Sequence, residues 1–245
     1  MELITQIAIS GILSAALSVI AYRLRMLTFS GALASLLVGY TVGVFGSVEW
    51  LILLVIFTSA GLIATKIDLT DKSRYGFQEG SFGERTHKNV LGVGIPVCIF
   101  ALLYGILHIR LSGEYDLALT VAFITTITVA AADTVASEIG IRDRKVWLIT
   151  TFERVKRGTN GGVSVLGTLS SVAAAAFTGI VGWLLIFRGI DAFVLIPIVM
   201  GVVGNLADSV LGATLEGNGK ISKYTNNCLS ALIGAVLGMI IVLLL

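Results

Sequence analysis

Residues 117–138 read LALTVAFITTITVAAADTVASE, an apolar run of membrane-crossing length that ends among the acids Asp133 and Glu138. A helix needs about 20 mostly apolar residues to cross roughly 30 Å of hydrocarbon. Applied outward from this run, the same ruler predicts spans near 3–21, 30–47, 50–65, 89–108, 117–138, 163–187, 190–213 and 228–245. The third is short, and it and the second are also compatible with one hairpin. The whole chain agrees with this reading. Of its 245 residues 56% are hydrophobic and only 13% charged, with a mean hydropathy of +0.96. A soluble domain carries about a quarter charged residues, so a water-soluble fold, a disordered chain and a secreted disulfide scaffold are excluded. The expected fold is all-α, a polytopic membrane helix bundle of about eight transmembrane helices forming one integral-membrane domain over 1–245. Cys98 and Cys228 sit in apolar runs and read as small core residues.

The charges orient the bundle. Connections after spans one, three, five and seven hold 15 of the 17 basic residues, leaving only Arg110 and Arg188 on the other side. The positive-inside rule places the first set in the cytoplasm, as loops 22–29, 66–88, 139–162 and 214–227. Both termini then face outward in a multi-pass protein of the cell membrane. Glu2, with no basic residue before the first apolar stretch, is unlike a cleaved signal peptide, so span one is expected to be retained. The basic loops are also rich in Gly, Asn and Thr. Plain solvated topology signals would need the Lys and Arg but not the Gly-Asn clusters.

Three acids lie within or at the rim of apolar spans: Asp133, Glu138 and Asp208. An ionised carboxylate there costs several kcal/mol unless paired or hydrated, which makes each a functional candidate. The plainer alternative is that each aspartate bonds a neighbouring helix. Both aspartates fall near the ends of spans five and seven that border basic loops, and so share a depth. Ser137 is one turn beyond Asp133, while Glu138 is rotated by about 140° and can join it only if the helix ends or bends. An internal repeat is also suggested. Ala132-Asp133-Thr134-Val135 precedes Thr159-Asn160-Gly161-Gly162, and Ala207-Asp208-Ser209-Val210 precedes Thr225-Asn226-Asn227.

Carboxylates alone suit a cation or a proton relay. Beside Lys, Arg and Gly-Asn turns, they point to an anionic substrate held through Mg²⁺, which takes one or two carboxylates plus phosphates. Thr159-Asn160-Gly161-Gly162 just before span six offers amides and a helix dipole as a phosphate cradle, and Thr225-Asn226-Asn227 is placed likewise before span eight. No GxxxxGK[ST] string occurs. His87 and His108 fall on opposite sides, so no Ser-His-Asp set assembles. Phosphoryl transfer needs none, because positioning and charge neutralisation supply most of its catalysis.

At these residues the chain resembles the membrane-embedded prenyl-phosphate kinase family, which includes phytyl-phosphate kinases and transmembrane protein 19-like proteins. The likeness spans essentially the whole chain. It rests on Leu27-Thr28-Phe29-Ser30-Gly31, Ala132 to Gly140 (ADTVASEIG), Gly158 to Ser164 (GTNGGVS), Asp208 to Glu216 (DSVLGATLE) and Asn226-Asn227. One departure falls at Arg85 to Gly94, RTHKNVLGVG, where the family pattern resembles RNxxQVLANG. There Thr86 and Val93 stand in place of asparagines. The resemblance implies transfer of the γ-phosphoryl of a nucleoside triphosphate, typically CTP, to a prenyl monophosphate of farnesyl, geranylgeranyl or phytyl type. It implies a Mg²⁺ ion held by Asp133, Glu138 and Asp208. Substrate and nucleotide would be bound by Arg85, Lys88, Asn89, Ser137, Arg154, Lys156, Thr159, Asn160, Gly161, Gly162, Ser209, Glu216, Asn226 and Asn227. No nucleic-acid partner is implied.

Two rival readings remain at this stage. A CTP-dependent cytidylyltransferase of lipid synthesis would use the same metal, groove and nucleotide. A secondary transporter would explain repeats and buried acids, but would place them at mid-membrane with access from both faces.

Overall fold

The computed structural model describes residues 3–67 and 84–245. Positions 68–83 of the predicted loop 66–88 lie outside the described residues. The helices are α1 (Leu3–Arg23), α2 (Phe29–Thr41), α3 (Val48–Ile67), α4 (His87–Arg110), α5 (Asp116–Gly140), α6 (Val165–Phe187), α7 (Leu195–Leu211) and α8 (Lys223–Leu244). These match the eight predicted spans in order. Seven of the described helices are long and apolar enough to cross a membrane, and the apolar part of α3, Val48–Ala60, is shorter. A π turn extends α2 over Val42–Gly46 and another extends α7 over Gly212–Glu216. The chain divides into two compact units, Met1–Thr120 and Val121–Leu245.

In the first unit, small residues set the helix contacts, as expected where lipid leaves no hydrophobic drive between helices. Ser10, Ser14 and Ser18 form the buried stripe of α1. Gly43 and Gly39 of the α2 segment face Ser10 and Ser14 with no room for a Cβ, and Ser18 Oγ lies 2.8 Å from Ser35 Oγ. Gln6 Nε2 donates to the carbonyls of Gly43, Val44 and Gly46, satisfying acceptors that the π turn leaves open. The Leu27–Gly31 motif has a structural meaning here. Thr28 caps α2 by accepting from Gly31 N, and its own N–H donates to the Arg85 carbonyl at 3.1 Å. A side chain at Gly31 would collide with that carbonyl.

In the second unit, most of the apolar stretch of α5 is buried. Its Thr125, Thr126 and Thr128 hydroxyls are fully buried and donate to carbonyls one turn back, so the helix satisfies its own polar groups. Gly201 and Gly204 of α7 pack on Thr128 and Val129 of α5. Gly234 of α8 closes on the same Val129, and its Cβ position lies 3.4 Å from the Gly204 Cα.

The predicted loop 139–162 contains structure that the sequence reading did not anticipate. Strands β1 (Val146–Leu148), β2 (Arg154–Val155) and β3 (Gly162–Val163) form an antiparallel sheet in the order β2-β1-β3. Strands of two or three residues are too short to show an alternating pattern. Two predicted boundaries also move. Thr159–Gly162 leads into β3 rather than directly into a helix, and Ser164 is the N-cap of α6. Asn226 and Asn227 are not in a loop at 214–227. They lie within the first turns of α8, because Ser222 caps that helix by accepting from Thr225 N.

The crossing of α5, α7 and α8 tolerates no added methyl at Gly204, whose Cβ would meet Val129 and the Ser230 carbonyl. Gly204→Ala is expected to destabilise by about 1–3 kcal/mol through overpacking. Gly11→Ala, whose Cβ would meet Tyr40 at an ordinary 3.7 Å, should leave the thermal midpoint in detergent unchanged. Equal midpoints for the two variants would refute the packing account.

Candidate functional site

The close contact of Gly204 with Val129 registers α7 against α5. One turn further along each helix stand Asp208 and Asp133. Both helices lead toward basic connections, so equal offsets bring the two acids to one depth. The charge of Asp133 acts on the Asp208 carboxyl, as do those of Glu216 and Lys223. Both aspartates are half-buried. Ser230 of α8, 1% exposed, donates its hydroxyl to Asp208 Oδ1 at 3.0 Å.

Beyond Asp208, the π turn Gly212–Glu216 ends on Glu216, an irregularity frequent at functional positions. Asn160 Nδ2 donates to Glu216 Oε1 at 3.1 Å and Asn226 Nδ2 to Glu216 Oε2 at 3.0 Å. The two members of the internal echo thus meet on one carboxylate. Asn226 Nδ2 also donates to the Asp208 carbonyl at 3.1 Å. The turn carrying Asn160 is locked in place by Gly161, which adopts φ +74° and abuts Ala213 and the Ser209 carbonyl where a Cβ would not fit.

Helix α5 continues through Gly140, so Glu138 stays about 140° around from Asp133. Among the described residues no three His, Cys, Asp or Glu side chains gather as a metal cluster, so Asp133, Glu138 and Asp208 are not a ready-made three-carboxylate cage. Ser137 is exposed and donates to the Asp133 and Thr134 carbonyls. Ser209 donates to the Asn205 carbonyl and Thr159 to that of Lys156. Gly162 N donates to the Thr159 carbonyl, and the Asn227 carbonyl accepts from Ser230. Lys156 is exposed. Arg154, also exposed, lies 6.0 Å over the Trp147 ring.

In the first unit, Arg85 pairs with Leu27 in an isolated β-bridge and Lys88 is exposed in the first turn of α4. Asn89 Oδ1 accepts from both the N–H and the hydroxyl of Thr86, each at 2.9 Å. Its side chain is therefore part of a helix cap. Sequence reasoning missed Ser230 and Asn205, which is 6% exposed. Spacing would have found them: Ser230 is one turn after Asn226, and Asn205 nearly one turn before Asp208.

The described donors around Asp208 are oxygens of carboxylates, a hydroxyl and an amide, with no cysteine or histidine among them. That set suits a hard divalent cation.

The family described as integral membrane protein DUF92 matches residues 12–238. An uncharacterized membrane protein of Methanocaldococcus jannaschii is 32% identical over 242 residues, covering 98% of this chain and 96% of its own. Protein VTE6, chloroplastic, of Arabidopsis thaliana is 31% identical over 223 residues, covering 89% of this chain and 65% of its own. Protein PGR of the same plant is 31% identical over 228 residues, covering 85% and 78%. No solved structure gives a significant match.

Asp143, in the turn after α5, ties that turn to α6. Its carboxylate accepts from Lys145 N at 3.1 Å and Leu166 N at 3.3 Å, and these amides hold it below its ordinary value of 3.8. A depressed folded value means the tie contributes fully above the unfolded value and is lost as pH falls through the folded one. At pH 7, Asp143→Ala is expected to accelerate hydrogen exchange at the Leu166 amide relative to wild type. The difference should vanish only in acid below about 3.8. An unchanged Leu166 exchange rate at pH 7 would show that the tie contributes nothing.

Proposed function

Since the chain belongs to the integral membrane protein family DUF92, we propose that it is a membrane-embedded prenyl-phosphate kinase transferring the γ-phosphoryl of CTP to a prenyl monophosphate. The observation that carries this reading is the Gly204–Val129 contact, which sets Asp208 and Asp133 each one turn further along helices whose ends border basic loops. That is where an amphiphile anchored by an apolar tail would present its phosphate. The similarity to protein VTE6 over 89% of this chain supports the same reading.

Under this proposal the basic loops face the cytoplasm and the tail lies among the helices. Mg²⁺, held by Asp133 and Asp208 directly or through water, would supply neutralisation of the triphosphate charge. Two carboxylates suffice, because Mg²⁺ keeps waters and takes phosphate oxygens as its other ligands. Arg154 and Lys156, both exposed, precede the Thr159–Gly162 turn within five residues, and would pair with phosphate oxygens. An oxygen of the prenyl monophosphate attacks the γ-phosphorus, and the bond from that phosphorus to the β–γ bridging oxygen breaks. CDP leaves with the electron pair and the lipid becomes a diphosphate. The acceptor, with a second pKa near 6, is already largely ionised at neutral pH, so no protein base is needed. The chain's contribution is position and field.

Purified protein incubated with farnesyl, geranylgeranyl and phytyl monophosphates, Mg²⁺ and γ-labelled CTP is expected to put label into the lipid. Label released as pyrophosphate would instead identify a cytidylyltransferase. Asp133→Asn and Asp208→Asn should each lower turnover by about a hundredfold or more while the proteins remain folded. Full activity in both would remove the metal assignment.

A further inference from the structure

Asn226 is 2% exposed, and its Oδ1 is buried without a hydrogen-bond partner. The amide cannot be turned round to cure this. Its Nδ2 faces the Asp208 carbonyl and Glu216 Oε2, which are both acceptors, so the nitrogen must stay where it is and the oxygen is left over. An orphaned buried acceptor carries a desolvation penalty that a native fold relieves with a ligand or water. A phosphate oxygen cannot relieve it, because phosphate is also an acceptor. The partner has to bring positive charge or a donor.

The surroundings select positive charge. The Asn226 amide lies against Glu216 Oε2 and the Asp208 carbonyl, so two acidic residues border the orphaned oxygen. Glu216 is gripped at both oxygens by the amides of Asn160 and Asn226, which aim a carboxylate while leaving each oxygen a lone pair to offer. We infer that Asn226 Oδ1 is a ligand of the divalent cation, beside Asp208 and Glu216, and that Asn160 positions Glu216 for the same ion. Asn226 then serves the metal rather than the phosphate. Its amide acts twice, with the nitrogen ordering the carboxylates and the oxygen completing the shell. This deepens the function proposed above and rests on it for the identity of the ion.

The test is Mn²⁺ titration of the purified full-length protein without nucleotide or lipid, read from the EPR signal of free Mn²⁺. Wild type is expected to bind, and Asn226→Leu to bind about tenfold more weakly or worse. Asn226→Asp, which keeps an oxygen for the ion but loses the donor to Glu216, should bind more tightly than Asn226→Leu. Wild-type affinity in Asn226→Leu overturns the inference. So does an Asn226→Asp that binds no better than Asn226→Leu, which would make Asn226 a positioning residue only, and so does a wild type that takes up no Mn²⁺ in the millimolar range. Should Asn226→Leu fail to fold, Asn226→Ala takes its place in both comparisons. The kinase reading fails separately. Mn²⁺ binding that follows this pattern without label transfer to any prenyl phosphate would sink the reaction and leave the cation site standing.

Discussion

A carboxylate among apolar helices has to be answered by something, and in this protein the answer depends on how closely α7 can approach α5. Gly201 and Gly204 leave no side chain between the backbones, and Thr128 and Val129 fill the space. Because the contact is tight, the register is firm. Asp133 and Asp208 follow one turn beyond it, within each other's field. Two like charges held so are costly in low dielectric, and the surrounding structure supplies the compensation. Ser230 donates to Asp208, Lys223 brings opposite charge, and the Asn226 amide joins the Asp208 carbonyl to Glu216.

The two Thr-Asn stretches illustrate how a repeat in sequence becomes a shared site without becoming a symmetric one. Asn160 lies in a turn that leads into a small sheet, while Asn226 lies inside the first turn of α8. Their amides nonetheless converge on opposite oxygens of Glu216. The π turn at Gly212–Glu216 supplies that carboxylate, and Gly161 lets the Asn160 turn press against Ala213. The side chains expected to cradle phosphate therefore grip an acid. Within this unit, Arg154, Lys156 and Arg157 are the exposed basic residues flanking the Thr159–Gly162 turn.

Helix count and approximate limits were legible because hydrocarbon thickness imposes a length that composition reveals directly. The predicted run 117–138 lies within Asp116–Gly140, and 163–187 differs from Val165–Phe187 by two residues at its start. The sheet in 139–162 was not legible, since strands this short leave no periodic trace. Asn89, a binding residue by the resemblance, also completes the cap of α4, a role visible only once Thr86 is seen to begin the helix.

By itself the sequence determined that this is a helical membrane protein, how many apolar segments it has, which connections carry the positive charge and which acids stand at helix rims. Those properties follow from local composition and from the dimensions of a bilayer. Only the tertiary structure decided that Asp208 is answered by Ser230, that Glu138 stays on another face from Asp133, and that Asn160 and Asn226 meet on Glu216. Those relations join residues up to 56 positions apart, and they depend on where backbones lacking side chains touch. No spacing along a single helix encodes that contact.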